Sequence, residues 1–159
     1  MSLLPLFQWM NSLAVSKAIN ESNWAYAIIQ AFHLVSLSVF FGAVLVVDLR
    51  LLGKGFNQQP LREVARDAQP WLIGGFAGLI ITGIPQLLAG AMKEYNIGLF
   101  WIKMYVLVAA TIFTFIIRAR VTRADEQSVG PLWSKVVAVV STGLWVGVAV
   151  PARLIGLFG

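Results

Sequence analysis

Residues 24–53, WAYAIIQAFHLVSLSVFFGAVLVVDLRLLG, form an apolar run broken by charge only near its end, at Asp48 and Arg50. About 20 consecutive apolar residues cross the hydrocarbon core of a bilayer as a helix, so this stretch reads as a membrane span. His33, the only histidine in the chain, lies inside it. At ~1.5 Å of rise per residue the imidazole sits ~13 Å below the start of the run, well within the hydrocarbon. An ionisable side chain at that depth is costly without a partner, and the default reading of such a residue is functional.

The rest of the chain is built the same way. Of its 159 residues 58% are hydrophobic and 12% are charged, about half the charged share of a soluble domain. The length suits one compact bundle, a single membrane domain over residues 1–159. The net charge of +5 arises from Lys and Arg at the ends of apolar runs, which is the pattern of topology signals and not of nucleic-acid binding. With no cysteine, disulfides, thiolate metal sites and thioether-linked haem are excluded. The opening MSLLPLFQWM lacks the basic head and small-residue cleavage site of a secretory signal, so no segment is expected to be removed.

Leu3, Leu6, Phe7, Met10, Leu13 and Ala14 recur at helical spacing in a segment too short to span. This predicts an interfacial helix over residues 3–19 with Trp9 at headgroup level. The NESN tetrapeptide at 20–23 supplies turn and cap chemistry before the first span. Four spans are expected, at about 24–47, 71–92, 97–117 and 132–157. PLREVARDAQP, between the first two, predicts a separate short amphipathic helix. Arg50, Lys54, Arg62, Arg66, Arg118, Arg120, Arg123 and Lys135 fall on one side, with Asp125 and Glu126 among them; Lys17 and Lys93 fall on the other. The positive-inside rule places that basic side in the cytoplasm and both termini on the outer, periplasmic side of a bacterial inner membrane. The expected fold class is all-α: a multi-pass four-helix transmembrane bundle with a short interfacial N-terminal helix, in contact with membrane lipid and homo-oligomeric.

Within the spans, Gly74 and Gly78 in the second, and Gly143 and Gly147 in the fourth, are four apart. Small residues at that spacing let helix backbones approach closely or leave room for a flat ligand. Pro85 should kink the second span and free a carbonyl near residue 81. In this topology several polar groups share the depth of His33. Gln30 lies one turn nearer the surface on nearly the same face. Thr82 and Gln86 lie in the outer half of the second span. Lys103 is ~9 Å deep at the start of the third, and Arg153 is near the outer end of the fourth.

One intramembrane imidazole with cations nearer the surface suits axial ligation of haem b. Neutral imidazole binds the iron and the propionates point outward to Lys or Arg. Lys103 and Arg153 are the propionate candidates, with Trp101 and Trp24 beside them; Gln30, Thr82 and Gln86 are supporting polar groups. A single histidine excludes bis-His ligation within one chain, so a sixth ligand would be Met104 or Lys103, or would come from a second subunit. The same residues also suit proton or quinone handling, with His33 as relay. Copper is a weaker match, since Met10, Met92 and Met104 stand alone. Against these readings, His33 as a packing residue satisfied by Gln30 or a carbonyl, and Lys103 snorkelling to the interface, need no ligand. Asp48 and Arg50 read as a surface pair and topology anchor, away from the site.

FHLVSLSVFFGAVLVVDLRLLG, the Pro70–Trp71 pair and LFWIKMYV resemble a family of four-span bacterial membrane proteins known as a domain of unknown function, over nearly the whole chain. More distantly the chain is similar to HemJ-type protoporphyrinogen oxidases and copper-resistance D proteins. In the HemJ comparison His33 matches a histidine early in one span and Lys103 a lysine opening a later one, which implies haem b. The resulting expectation is a b-type haem protein serving electron transfer, with a quinone or another redox partner. The alternatives are a HemJ-like tetrapyrrole or quinone oxidoreductase, and a non-catalytic accessory subunit of a membrane complex.

Overall fold

The structure, a computed structural model, describes residues 3–124 and 129–158; Asp125 and Glu126 lie outside them. The chain forms α1 (Leu4–Ser12), α2 (Ala14–Glu21), α3 (Ala25–Leu51), α4 (Leu61–Tyr95), α5 (Gly98–Ile112), a π-helical turn (Phe113–Arg118), α6 (Ala119–Arg123) and α7 (Pro131–Phe158), with no strand among the described residues. Four helical stretches are long and apolar enough to cross a membrane: Ala25–Leu51, Leu61–Tyr95, Gly98–Arg123 and Pro131–Ile155. The protein is an all-α, multi-pass membrane bundle.

The bundle is two antiparallel pairs, α3 with α4 and α5 with α7, joined where α7 also packs on α3. The α3–α4 seam is closed by glycine. A Cβ on Gly75 would stand 2.7–2.8 Å from the backbone N and Cα of Phe40, and one on Gly78 would collide with the Ser36 hydroxyl. As numbers rise along α4 they fall along α3, and Gly83 meets His33 at the next step. This corrects the predicted glycine pair: nothing lies within 4 Å of a Cβ on Gly74 or Gly143, whereas Gly147 meets Val106. Gly75 and Gly78, three apart, form the close approach on α4.

The main core runs from the middle of the bundle toward its arginine-rich end, around Phe40, Val44, Val47, Val137 and Trp145. Trp145 packs edge-on against Phe40 with ring centroids 4.4 Å apart. A second cluster at the opposite end gathers Phe7, Ala91, Phe100 and Ile155.

Three boundaries differ from expectation, each for a local reason. The N-terminal helix is two helices, broken at Leu13, whose ψ is 143°. Both dock on α4: Phe7 is buried in the second cluster, Ser16 Oγ donates to the Leu88 carbonyl at 2.9 Å, and Asn20 Nδ2 donates to that of Ala89 at 3.1 Å. PLREVARDAQP is not a separate helix, because α4 runs unbroken from Leu61 through Pro70 and Pro85. Leu61, Val64, Ala68 and Leu72, all buried, form one stripe at helical spacing against α3. Burial along that stripe offsets the ~3 kcal/mol by which proline disfavours a helix interior. The third span extends past its expected end at residue 117 through the π turn to Arg123. At the entry to α3, Ser22 Oγ accepts the Ala25 amide at 3.2 Å, as the NESN motif led one to expect.

Candidate functional site

The close α3–α4 seam brings His33 against α4, where His33 Nδ1 and Thr82 Oγ1 are 2.8 Å apart. Thr82 Oγ1 also sits 2.6 Å from the Gly78 carbonyl one turn back, to which it donates its single hydroxyl proton. The hydroxyl is then the acceptor toward the imidazole, which assigns the proton to Nδ1 from the hydrogen-bond network. Nε2 therefore carries a lone pair and has no hydrogen-bond partner among the described residues. Gly83 leaves the ring's Cε1 edge free of side chain; even a Cβ there would lie 3.5 Å away. A neutral imidazole anchored through one nitrogen and unpartnered at the other is the form that ligates metal.

The remaining predicted residues fall into two groups. Lys103, on α5, has its Nζ 3.6 Å from Glu94 Oε2, with both side chains about four-fifths buried, and it lies 5.1 Å above the Phe100 ring. Gln86, one turn beyond Thr82 on α4, has its Nε2 buried with no partner among the described residues, and Gln30 is partly buried on α3. These residues share the end of the bundle that holds His33. Trp101 is engaged elsewhere: its Nε1 donates to the Tyr95 carbonyl at 3.2 Å and its ring packs on Phe7 and Phe100. Met104 belongs to the same cluster, and Arg153 is exposed on α7. Glu94, the partner of Lys103, was absent from the sequence-based candidates. Its place in the KEYN turn concealed that the last turn of α4 overhangs α5.

The larger omission is at the arginine-rich end. Asp48 is not a surface residue paired with Arg50. It is 1% exposed, and its Oδ1 accepts Arg118 Nε at 2.9 Å. Its Oδ2 accepts the Thr142 hydroxyl at 3.1 Å, and Arg118 Nη2 donates to the Val44 carbonyl at 2.9 Å. The buried Ser141 hydroxyl lies beside the carboxylate without reaching hydrogen-bond geometry. Nearby, Trp145 Nε1 donates to Thr114 at 2.9 Å. Arg50 instead donates through Nε to the Gln59 carbonyl. Arg118 thus leaves the set of loop cations on which the expected topology rests. The π turn explains the error: one extra residue in a helical turn rotates the downstream residues by ~100° and turns Arg118 inward. The available signal was that Asp48 and Arg118 each close an apolar run at the same end of the bundle.

Among the described residues no three His, Cys, Asp or Glu side chains gather to hold a metal ion. A porphyrin brings its own four nitrogens and asks the protein for axial ligands only, a requirement that an imidazole with an unpartnered Nε2 suits where it would not suit a bare ion. Comparison with known proteins finds no match among curated proteins and none among solved structures, so the expected likeness to HemJ-type and copper-resistance D proteins finds no support there. A family profile does match, over residues 6–158, and takes in all four spans. The chain belongs to the family of unknown function DUF6644.

Proposed function

We propose that this protein is a b-type haem protein of the bacterial inner membrane that serves electron transfer, with His33 as an axial ligand of the iron. The observation that carries this reading is the His33–Thr82–Gly78 chain. It fixes the orientation of the ring and, in the neutral imidazole, sets the Nδ1–H tautomer that leaves Nε2 as the ligand nitrogen. Bound haem supplies a one-electron couple at mid-membrane depth. Gln86, with an unpartnered buried amide, and Gln30 supply hydrogen bonds to the group or its substituents. Lys103 retains donors beyond the one facing Glu94, and with the exposed Arg153 it is a partner for propionates. With one histidine per chain, a haem held here would be five-coordinate or would take a sixth ligand from Met104, Lys103 or a second subunit. The reading includes a homo-oligomer that passes electrons to or from a quinone or a protein redox partner. It places the arginine-rich end in the cytoplasm and both termini outside, on the distribution of Lys and Arg.

Haem titration of the purified protein tests the role of the anchor. Thr82→Val keeps the shape of the side chain and removes the acceptor for Nδ1–H, so haem affinity should fall ~10–100-fold, as when the outer partner of a ligating histidine is removed. Equal affinity of variant and wild type would remove the observation on which the reading rests. Added protoporphyrinogen distinguishes a carrier from an oxidase: porphyrin fluorescence should rise no faster than in protein-free vesicles. A rate set by protein concentration would favour the enzyme instead.

A further inference from the structure

A cavity of about 670 Å³ opens at the arginine-rich end, between the first half of α4 and the π turn with α6. It is separate from the His33 site, which lies on the other side of the α3–α4 glycine seam. Arg62, Arg66 and Arg123 stand along its outer part, with Glu63 the one carboxylate lining it. Neither Arg62 nor Arg123 has an acidic partner among the described residues; Arg66 makes only an exposed 3.5 Å contact with Asp67. The fourth lining arginine, Arg118, is already neutralised by Asp48. Deeper in the membrane, Leu72, Ile73 and Phe115 form the wall, and Ile73 and Phe115 are exposed on the apolar surface of the bundle.

The polarity of the cavity therefore changes along the membrane normal. From Arg62 to Ile73, and from Arg123 to Phe115, the offset is ~12–16 Å of helix. The headgroup layer is ~5–8 Å thick, so a glycerophospholipid whose phosphate lies at the arginine level has its acyl chains at the level of Ile73 and Phe115. Arginine side chains recognise phosphate through forked, charge-assisted hydrogen bonds, and an excess of cations at a bilayer surface favours anionic lipid. We infer that this cavity is a binding site for one anionic phospholipid, with its phosphate held by Arg62, Arg66 and Arg123 and its chains lying against Leu72, Ile73 and Phe115.

Native mass spectrometry of the detergent-solubilised protein, titrated with phosphatidylglycerol or phosphatidylcholine, tests the assignment. The expected result is one retained phosphatidylglycerol per chain at concentrations where phosphatidylcholine is not retained. The Arg62→Gln/Arg123→Gln variant should lower that retention on the order of tenfold or more, through the loss of two cations near the phosphate. Arg120→Gln should leave it unchanged, since Arg120 is an exposed cation of the same end that does not line the cavity. Equal retention of the two lipids would overturn recognition by charge, and an equal loss in Arg120→Gln would overturn the site in favour of diffuse surface charge. Displacement of phosphatidylglycerol by equimolar glycerol 3-phosphate would show that a free phosphate is read, and would overturn the lipid assignment. Should the double variant fail to fold, Arg123→Gln alone is expected to show a smaller loss of the same kind, and its absence counts against the site.

Discussion

Asp48→Ala is expected to destabilise the folded bundle by ~3–5 kcal/mol, the cost of leaving one partner of a buried ion pair behind. Asp48 and Arg118 side chains are 1% and 6% exposed, so solvent screening does little to soften the loss. The guanidinium would keep the Val44 carbonyl as acceptor and lose the only carboxylate it faces among the described residues. Arg118→Met should cost a similar amount by stranding the carboxylate, which would keep only the Thr142 hydroxyl. The combined Asp48→Leu/Arg118→Met variant should recover most of this loss, because replacing both partners by apolar residues of similar volume is often neutral or stabilising. Unfolding midpoints in detergent, measured on the four proteins, check the cycle. If the single variants stay within ~0.5 kcal/mol of wild type, the level of a surface change, the pair is hydrated and ties nothing together. Asp48 lies ~22 Å along α3 from His33, so haem bound per folded molecule should not change in any of them.

The second large effect concerns the helix seam. Gly75→Leu should separate α3 from α4, since the first atom of any side chain would meet Phe40 backbone at 2.7–2.8 Å. Backbone cannot swing aside as a side-chain tip can, and the strain expected of such overpacking is ~1–3 kcal/mol or more. The consequence extends to the site, because this contact sets the register that places Thr82 2.8 Å from His33. Gly75→Leu is therefore expected to weaken haem binding as well as stability. Gly74→Ala is the control. With nothing within 4 Å of its Cβ, it should be neutral or stabilise by up to ~1 kcal/mol through helix propensity. Equal unfolding midpoints for the two variants would contradict the packing described.

Much of the fold was legible because apolar runs of membrane-spanning length leave few alternatives. The pairing of His33 with Thr82 was also within reach, since an antiparallel neighbour must place some polar residue at the depth of the histidine. Three features were not legible, and all concern rotation or continuity of helices and not their existence. Gly74 and Gly75 are equivalent in a pattern search, yet ~100° of rotation separates facing the neighbouring helix from facing away. Pro70 reads as a boundary, and only the burial of Leu61, Val64 and Ala68 beside Leu72 carries the helix through it. Arg118 reads as a loop cation until the π turn rotates it onto Asp48. Each depends on tertiary contact that a single sequence does not display.

Whether His33 holds a haem is read most directly from the visible spectrum of the protein purified from haem-supplied cells, set against that of a His33→Ala variant with an unchanged unfolding midpoint. A Soret band is expected in the wild type and should be lost in the variant. A colourless, folded wild type, or a band that survives His33→Ala undiminished, would contradict the assignment.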